Sequence, residues 1–234
     1  DAERYVQMVS SSAQQLTVLI NDILDFSYFE SRDFRIEKAP FEPRNMAHNA
    51  MEMTRALVPN SKLELIYKID EKVPPFIIGD SSRIKQVILN LLSNAVKYTE
   101  RGQVELRISY MRGKENLLIL QVHDTGPGIS PEDQTRIFEP FERTNAARKR
   151  PGTGLGLTIS KKLVEAMKGT ISLTSTLGQG ACFTIELPAP PASAFEANID
   201  ATKPPVDFSK ILRILVAEDV APSRVLLTVM LTNL

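Results

Sequence analysis

The spacing of apolar residues predicts where helices and strands lie along the chain. Over positions 1–31 apolar residues recur at alternating steps of four and three, the heptad pattern of a long helix that packs against another helix. Alternating or continuous apolar runs predict strands at 34–37, 63–69, 76–78, 103–111, 117–123, 170–175 and 181–187. Two helices are predicted from Pro43 to Leu57 and from Ile159 to Met167. A third helix is predicted to begin after Asp80, a residue type that suits an N-cap.

Mixed helices and hairpin-linked strands predict an α+β fold. The turn-rich residues 112–116 join two of the strands, and a second hairpin ends the pattern near Leu187. We expect an antiparallel or mixed sheet with helices layered on one face, a two-layer α/β sandwich preceded by the long N-terminal helix. The apolar stripe of that helix needs a partner, which is a helix of a second copy, a helix from an upstream segment or its own domain.

The composition changes after the last predicted strand. Residues 188–210 are rich in Pro, Ala and polar residues without periodicity, which is typical of a linker. A largely apolar strand follows at 211–217 and leads to an amphipathic helix that reaches Leu234. The sequence thus predicts a helix at 1–31, a domain at 32–187, a linker at 188–210 and the start of a second domain at 211–234.

Charge and cysteine content exclude several functions. Lys+Arg and Asp+Glu each number 28, so no net charge recruits nucleic acid or an anionic membrane surface. The single cysteine, Cys182, excludes an internal disulfide and fits a reducing cytosol, with a buried thiol as the expected state. No apolar run approaches the roughly 18 residues that span a bilayer, and the N-terminus lacks a signal-peptide pattern. We expect a cytoplasmic chain without membrane contact, from a parent that can still be anchored upstream.

The predicted helix after Asp80 carries an unusual polar face. Asn90, Asn94, Lys97 and Tyr98 fall at i, i+4, i+7 and i+8, while positions 91, 92, 95 and 96 are apolar. An Asn carbonyl oxygen is a hard ligand suited to Mg²⁺, and a Lys supplies a matching charge for phosphate. These residues alone leave two hypotheses open, a ligand site and an ordinary surface helix whose Asn side chains bind water.

Two glycine-rich segments accompany this helix. Asp124-Thr125-Gly126-Pro127-Gly128 follows a predicted strand, and its turn would hold the carboxylate where it can accept a hydrogen bond from an amino group such as that of adenine. In Gly152-Thr153-Gly154-Leu155-Gly156 the glycines expose backbone N–H groups at the start of a helix, which can bind phosphate. Either segment alone is more commonly a simple turn. The occurrence of both segments after the polar helix, in this order, makes the prediction of a nucleotide site specific.

Together these motifs resemble the ATP-binding domain of histidine kinases, in the superfamily that also holds gyrase, MutL and heat-shock chaperone ATPases. The resemblance covers about positions 1–187. Positions 90–98 resemble the N box of the family, 124–128 its first glycine box, 138–141 its F box, 152–156 its second glycine box and 178–180 its last glycine turn.

The resemblance implies that ATP and Mg²⁺ bind to this chain. Asn94 would hold Mg²⁺, Asn90 and Lys97 would face the phosphates, Tyr98 would lie against the base, and Asp124 would bind the adenine amino group. The other implied nucleotide-binding residues are Gly126, Gly128, Gly152, Thr153, Gly154, Leu155 and Gly156.

Further expectations follow from the resemblance for the surroundings of the nucleotide. Segment 141–151 would be a mobile lid, and its basic residues would either close on phosphate or remain solvated. Positions 1–31 would be the second helix of a dimerisation hairpin, through which the parent forms a homodimer. Neither His48 nor His123 stands in the family's phosphoacceptor position, so we expect the acceptor to be absent from this chain.

Positions 211–234 resemble the first strand and helix of a receiver domain, with Glu218-Asp219 as its acidic pair. The parent therefore resembles a hybrid histidine kinase, an enzyme that transfers phosphate from ATP to a histidine and whose partner is a receiver domain or a response regulator. An ATP-hydrolysing relative of gyrase or MutL would have Glu as general base four residues before the metal-binding Asn. Asn90 occupies that position and cannot take up a proton at neutral pH, which favours the kinase. A nucleotide-binding signalling scaffold without kinase activity is the remaining alternative.

Overall fold

The computed structural model describes residues 20, 35–56, 58, 63–113, 115–142 and 152–193. The chain divides into two units, 1–197 and 198–234, and the described residues all belong to the first. Their elements in chain order are β1 (Ala39–Phe41), α1 (Pro43–Ala56), β2 (Leu63–Ile69), β3 (Ile77–Gly79), α2 (Ser81–Tyr98), β4 (Gly102–Met111), β5 (Leu117–Asp124), α3 (Pro131–Gln134), α4 (Gly156–Ala166), β6 (Thr170–Thr176) and β7 (Gly180–Pro188). The elements predicted at 1–31 and 211–234 lie outside the described residues, apart from Ile20.

The larger sheet is mixed and contains β2, β4, β5, β7 and β6 in that order. Strands β2 and β4 run parallel, with Leu63 opposite Gly102, and the remaining neighbours run antiparallel. Hairpins β4–β5 and β6–β7 match the predicted strands to within one residue at each end. The predicted mixed sheet is therefore confirmed.

The helices cover one face of this sheet. On β4, Val104, Leu106 and Ile108 are fully buried, whereas Arg107 on the opposite face is exposed. From α2, the apolar side chains that enter the same core are Ile84, Val87, Ile88, Leu91, Leu92 and Ala95. This one-sided burial is the two-layer α/β sandwich that the sequence predicted. Contrary to expectation, Cys182 is only half-buried, because it alternates with core residues on β7.

Helix α2 begins at the predicted N-cap, Asp80. One carboxylate oxygen accepts hydrogen bonds from the Ser82 hydroxyl at 2.6 Å and the Arg83 N–H at 3.0 Å, and the other accepts from the Glu37 N–H at 3.0 Å. Burial raises the pKa of the Asp80 carboxyl, but these hydrogen bonds and the Arg83 charge outweigh it, so the pKa lies below its usual value. The cap fixes the start of the helix that carries the candidate site.

Within the described ranges, no helix is both long and apolar enough to cross a membrane.

The predicted strand at 34–37 is wrong. Residues 35–38 are irregular, and the short strand β1 begins at Ala39 and pairs with β3 in a separate two-stranded sheet. The Glu37 N–H is bonded to the Asp80 carboxylate and is therefore not available to a neighbouring strand. Ile36 still packs against the core, so the apolar residue in this segment indicated burial and not strand pairing.

The domain continues past Leu187, where the sequence predicted that a linker begins. Pro188 is the last residue of β7, and the residues after it are bonded to the rest of the domain. These bonds are Ala189 N–H to Asn116 O at 2.9 Å, the Tyr110 hydroxyl to Ala189 O at 2.8 Å, Ile78 N–H to Pro190 O at 2.9 Å and Ala192 N–H to Phe76 O at 2.9 Å. Proline-rich composition indicated a linker, but Pro188 ends β7 and Pro191 pairs with Ile77 in an isolated bridge, positions that tolerate a residue without an N–H. Residues 194–210 of the predicted linker lie outside the described ranges.

Candidate functional site

The polar face of α2 is half-buried. Asn90, Asn94, Lys97 and Tyr98 are each partly exposed, whereas Leu91, Leu92 and Ala95 between them are buried in the core. Among the described residues, nothing hydrogen-bonds the Asn94 carboxamide and no acid pairs with Lys97, whose Nζ lies 5.1 Å from the centroid of the Tyr98 ring. This face therefore offers an amide and an ammonium group to a ligand.

The glycine-rich segment before α4 lies against the same face of α2. Asn90 Nδ2 donates a hydrogen bond to Ser160 Oγ at 2.8 Å, and a Cβ on Gly156 would come within 2.5 Å of Asn90 Oδ1. Lys97 Nζ would lie 2.8 Å from a Cβ on Gly152. Both ends of the segment 152–156 are therefore in close contact with side chains of α2.

Helix α4 begins without a side-chain cap. Its N-cap residue is Leu155, whose own N–H donates to Thr153 Oγ1 at 3.1 Å. The first intrahelical bond runs from Ile159 N–H to Leu155 O, so the amides of the first turn before it have no partner within the helix. These amides and the positive end of the helix form an environment that suits phosphate. The Phe141 N–H donates to Gly154 O at 3.1 Å and so joins the F-box segment to this turn.

Asp124 ends β5 with a buried carboxylate, 7% exposed. Its Oδ1 accepts hydrogen bonds from the Gly126 N–H at 2.8 Å and from Thr99 Oγ1 at 3.5 Å. Burial raises the pKa of the Asp124 carboxyl above its usual value, although the Gly126 amide and the His123 charge act in the opposite direction. An acid that is buried but not in an ion pair has an unusual pKa for its type, which is common at functional sites.

The turn after Asp124 packs against the β6–β7 turn. The Gly178 N–H donates to Pro127 O at 2.7 Å. Gly128 has a φ of +69°, and a Cβ on it would lie 2.1 Å from the carbonyl oxygen of Thr176, so only glycine fits there. The glycine-containing segments 126–128 and 178–180 are thus in contact, although they lie far apart in the sequence.

Helix α2 links two groups of predicted residues. Asn90 and Lys97 contact the segment 152–156, and the end of the helix reaches Asp124 through Thr99. Asn94 lies between Asn90 and Lys97 on the same helix face. The basic lid residues predicted at 143–150 lie outside the described part of the chain.

Sequence reasoning missed two polar residues that support these groups, Thr99 and Ser160. Thr99 is 3% exposed and is both the C-cap of α2 and a partner of Asp124. Ser160 is 1% exposed and binds Asn90. A signal for Ser160 was present, because it lies four residues after Gly156 and hence on the same face of α4.

The side chains on α2 fit a magnesium ion better than a metal that needs a protein cage. The described residues contain no cluster of three or more His, Cys, Asp or Glu side chains that would hold a metal ion. Asn94 presents a half-buried carboxamide without a partner among them. Mg²⁺ takes few protein ligands and keeps waters and nucleotide phosphates as the others, so such a sparse oxygen site suits it.

Comparison with known proteins identifies the fold. The family of histidine kinase-, DNA gyrase B- and HSP90-like ATPases matches residues 79–191. The chain is 39% identical to the sensor protein TorS of Escherichia coli over 191 residues, which cover 81% of this chain and 20% of TorS. It is 35% identical to the autoinducer 2 sensor kinase/phosphatase LuxQ of Vibrio cholerae over 225 residues, which cover 94% of this chain and 26% of LuxQ.

A solved structure of full-length ShkA in complex with AMPPNP has the same fold, with a TM-score of 0.73 and 33% identity. That match covers 82% of this chain and 40% of ShkA. The chain spans about a fifth of the length of TorS and about a quarter of that of LuxQ. Residues 79–191 therefore match the histidine kinase-, DNA gyrase B- and HSP90-like ATPases, and the comparisons support a histidine kinase ATP-binding domain in this chain.

Proposed function

We propose that the chain is the catalytic part of a hybrid sensor histidine kinase, and that it binds Mg²⁺-ATP along the polar face of α2. The observation that carries the proposal is the position of this half-buried face between a glycine-rich helix start and the buried carboxylate of Asp124. Those two neighbours suit opposite ends of one ligand, because a helix N-terminus attracts phosphate and a buried carboxylate accepts from an amino group. The AMPPNP complex of ShkA supports the same ligand class.

Asp124 would select adenine. Its ionised carboxylate accepts a hydrogen bond from the exocyclic amino group, and the Gly126 amide and Thr99 hydroxyl keep Oδ1 in place for this. Burial removes competing water and strengthens the hydrogen bond. Tyr98 would lie along the base, and the turn that contains Gly126 and Gly128 would border it.

The phosphates would lie beside the segment 152–156, which contacts α2 at Lys97 and at Asn90. The backbone of Gly152, Thr153, Gly154, Leu155 and Gly156 supplies N–H groups, and Lys97 supplies a positive charge beside Gly152. The Asn94 carboxamide oxygen would hold Mg²⁺, with Asn90 facing the same phosphates. When bound, Mg²⁺ neutralises charge on the phosphates of the leaving group.

Phosphoryl transfer to a histidine is favoured over hydrolysis by the residue at position 90. A carboxamide cannot act as a general base for water, and Asn90 already donates a hydrogen bond to Ser160. In the proposed transfer, a ring nitrogen of the acceptor forms a bond to the γ-phosphorus while the bond to the bridging oxygen breaks, and ADP leaves with that oxygen. ATP hydrolysis and a non-catalytic scaffold are the competing functions.

The acceptor would be a histidine on the dimerisation helices of the parent. His48 is exposed on α1 and His123 lies within β5, and neither stands at the family's acceptor position. The proposal includes a cytoplasmic homodimer formed through positions 1–31, with a receiver domain or response regulator as the next partner.

Calorimetric titration tests nucleotide binding and the metal ligand. Wild type is expected to bind Mg²⁺-ATP, and Asn94→Ala is expected to weaken binding at least about 10-fold. Asn49→Ala is the matched control, because Asn49 is a helical Asn on α1 that bonds only Asn45 among the described residues. With EDTA, wild type and Asn94→Ala should bind ATP equally. A loss that persists without Mg²⁺ would assign Asn94 to another role.

Incubation with labelled ATP tests catalysis. The chain alone is expected to remain unlabelled, and label should appear on a separately made dimerisation hairpin of the parent. Asp124→Asn should reduce that transfer. Stable label on His48 or His123, or steady release of phosphate without a hairpin, would contradict the kinase assignment.

A further inference from the structure

Two helices that lie far apart in the sequence meet at one side-chain hydrogen bond, between Asn90 on α2 and Ser160 on α4. Asn90 Nδ2 donates to Ser160 Oγ at 2.8 Å. Ser160 is 1% exposed, so water does not compete for its hydroxyl. The contact therefore limits rotation of the Asn90 carboxamide on a face of α2 where Asn94 has no partner among the described residues.

The start of α4 confines the same carboxamide from a second side. A Cβ on Gly156 would lie 2.5 Å from Asn90 Oδ1, 3.1 Å from Cγ and 3.2 Å from Nδ2, so a side chain at position 156 would displace the carboxamide. With one Nδ2 hydrogen donated to Ser160, Oδ1 and the second Nδ2 hydrogen are left for a ligand. An Asn at an exposed site would lose side-chain entropy when a ligand fixed its carboxamide. Here the fold has already fixed the Asn90 carboxamide before a ligand binds.

A second buried hydroxyl on α4 provides a contrast. Thr158 is 5% exposed, and its Oγ1 has no hydrogen-bond partner among the residues that the structure describes. Ser160 and Thr158 thus share a helix, a degree of burial and a hydroxyl group, but only Ser160 bonds a residue of the candidate site.

We infer that Ser160 is a positioning residue, which acts through Asn90 to orient its carboxamide toward the phosphate and metal end of the nucleotide. This inference rests on the proposed function for its ligand, but the contact itself exists without nucleotide. Its effect should be confined to ligands that carry phosphate, because Asp124, the proposed partner of the base, contacts Thr99 at the C-terminal end of α2, whereas Asn90 lies in the middle of the helix.

The contact is tested first in the nucleotide-free chain by NMR of side-chain amides. Ser160→Ala is expected to shift the Asn90 Nδ2 resonances, assigned through their loss in Asn90→Ala. Thr158→Val, which removes the hydroxyl without a partner, should leave them unchanged. Asn90 resonances that Ser160→Ala does not move would overturn the inference.

The functional part is tested by titrating Mg²⁺-ADP and adenosine into the same variants. Ser160→Ala is expected to weaken Mg²⁺-ADP about 2- to 10-fold and to leave adenosine binding unchanged. Thr158→Val should bind both ligands as wild type does. If Ser160 acts only through Asn90, the double variant will bind Mg²⁺-ADP no more weakly than Asn90→Ala alone.

Three results would contradict a positioning role: unchanged Mg²⁺-ADP affinity in Ser160→Ala, an equal loss for adenosine, or additive losses in the double variant. A wild-type chain that binds no Mg²⁺-ADP would overturn the proposed function instead, and the amide resonances would still decide whether Ser160 holds Asn90.

Discussion

The backbone of Gly180 lies directly against that of Asp124, since a Cβ on Gly180 would come within 1.9 Å of the Asp124 carbonyl oxygen. Gly180 has a φ of +92°. Gly178, in the same turn, has a φ of +81° but nothing within 4 Å of its Cβ position. A substitution at Gly178 therefore measures the cost of the positive φ alone. A substitution at Gly180 measures that cost together with the cost of a steric clash.

Gly180→Ala is expected to destabilise the domain more than Gly178→Ala. The second substitution costs only the unfavourable φ, about 1 kcal/mol. Gly180→Ala must in addition move the chain at Asp124, for a total of about 3 kcal/mol or more. Urea unfolding of both variants measures the difference, and equal losses would contradict the close approach of Gly180 to β5.

Asp124→Asn is expected to weaken nucleotide binding without destabilising the free protein. Replacing the carboxylate removes a charge-assisted acceptor, which corresponds to a loss of about 10- to 150-fold in affinity for ATP. Because burial raises the folded-state pKa, the folded protein binds the Asp124 proton more tightly than the unfolded chain does, and stability falls as pH rises through that pKa. The neutral amide avoids this penalty, so the melting temperature at neutral pH should be unchanged or higher. Equal ATP affinities would remove Asp124 from the site.

The raised pKa of Asp124 also predicts how binding depends on pH. As pH falls through this pKa, the carboxylate is neutralised and becomes a weaker acceptor, so ATP affinity should fall as pH is lowered from neutral, beginning above the ordinary Asp value of about 3.9. Titrations of wild type and Asp124→Asn across this range isolate the effect. Asp124→Asn should lack the part of the pH-dependent loss of ATP affinity that Asp124 causes. Identical pH profiles for wild type and variant would assign the titration to another group.

Asp80→Ala is expected to cost about 2 kcal/mol of folding free energy, because it removes the N-cap of α2 and the acceptor of the Glu37 N–H. Asp70→Ala is the matched control, since the exposed Asp70 carboxylate accepts only the Lys72 N–H among the described residues.

The contribution of Asp80 should also depend on pH. Its folded-state pKa is lowered, so the stabilisation is present above the unfolded value of about 3.9 and is lost as pH falls through the folded value. Denaturant unfolding at neutral and acidic pH should show the difference between wild type and Asp80→Ala shrinking with acid. A constant difference would contradict the lowered pKa.

Local pattern was sufficient for the elements whose side chains face one core. The alternation on β4 and β5 and the apolar face of α2 follow from burial on one side, and the Asp80 cap follows from local hydrogen bonding. Spacing along α2 also placed Asn90 and Asn94 on one face. What spacing could not indicate was a partner from another part of the chain, such as Ser160 for Asn90 or Asp80 for the Glu37 N–H. These contacts depend on tertiary packing, which a single-sequence pattern does not contain.

A truncation series tests the end of the domain. A chain that ends after Leu187 lacks the hydrogen bonds made by residues 189–192 and the buried Ala189, and should lose about 2 kcal/mol or more of folding free energy. A chain that ends after Ser193 keeps these contacts and should melt like the full chain. Equal melting temperatures for the two truncations would make the segment dispensable.

The attachment of residues 189–192 determines where a mechanical pull on the chain beyond Ser193 first acts. The pull meets the hydrogen bonds of Ala192 with Phe76 and of Pro190 with Ile78 before it meets the ladder of β7. Ile78 lies two residues before Asp80, the cap of α2. Tension in the downstream chain therefore acts on β3, next to the start of the helix that carries Asn90 and Asn94, as well as on β7.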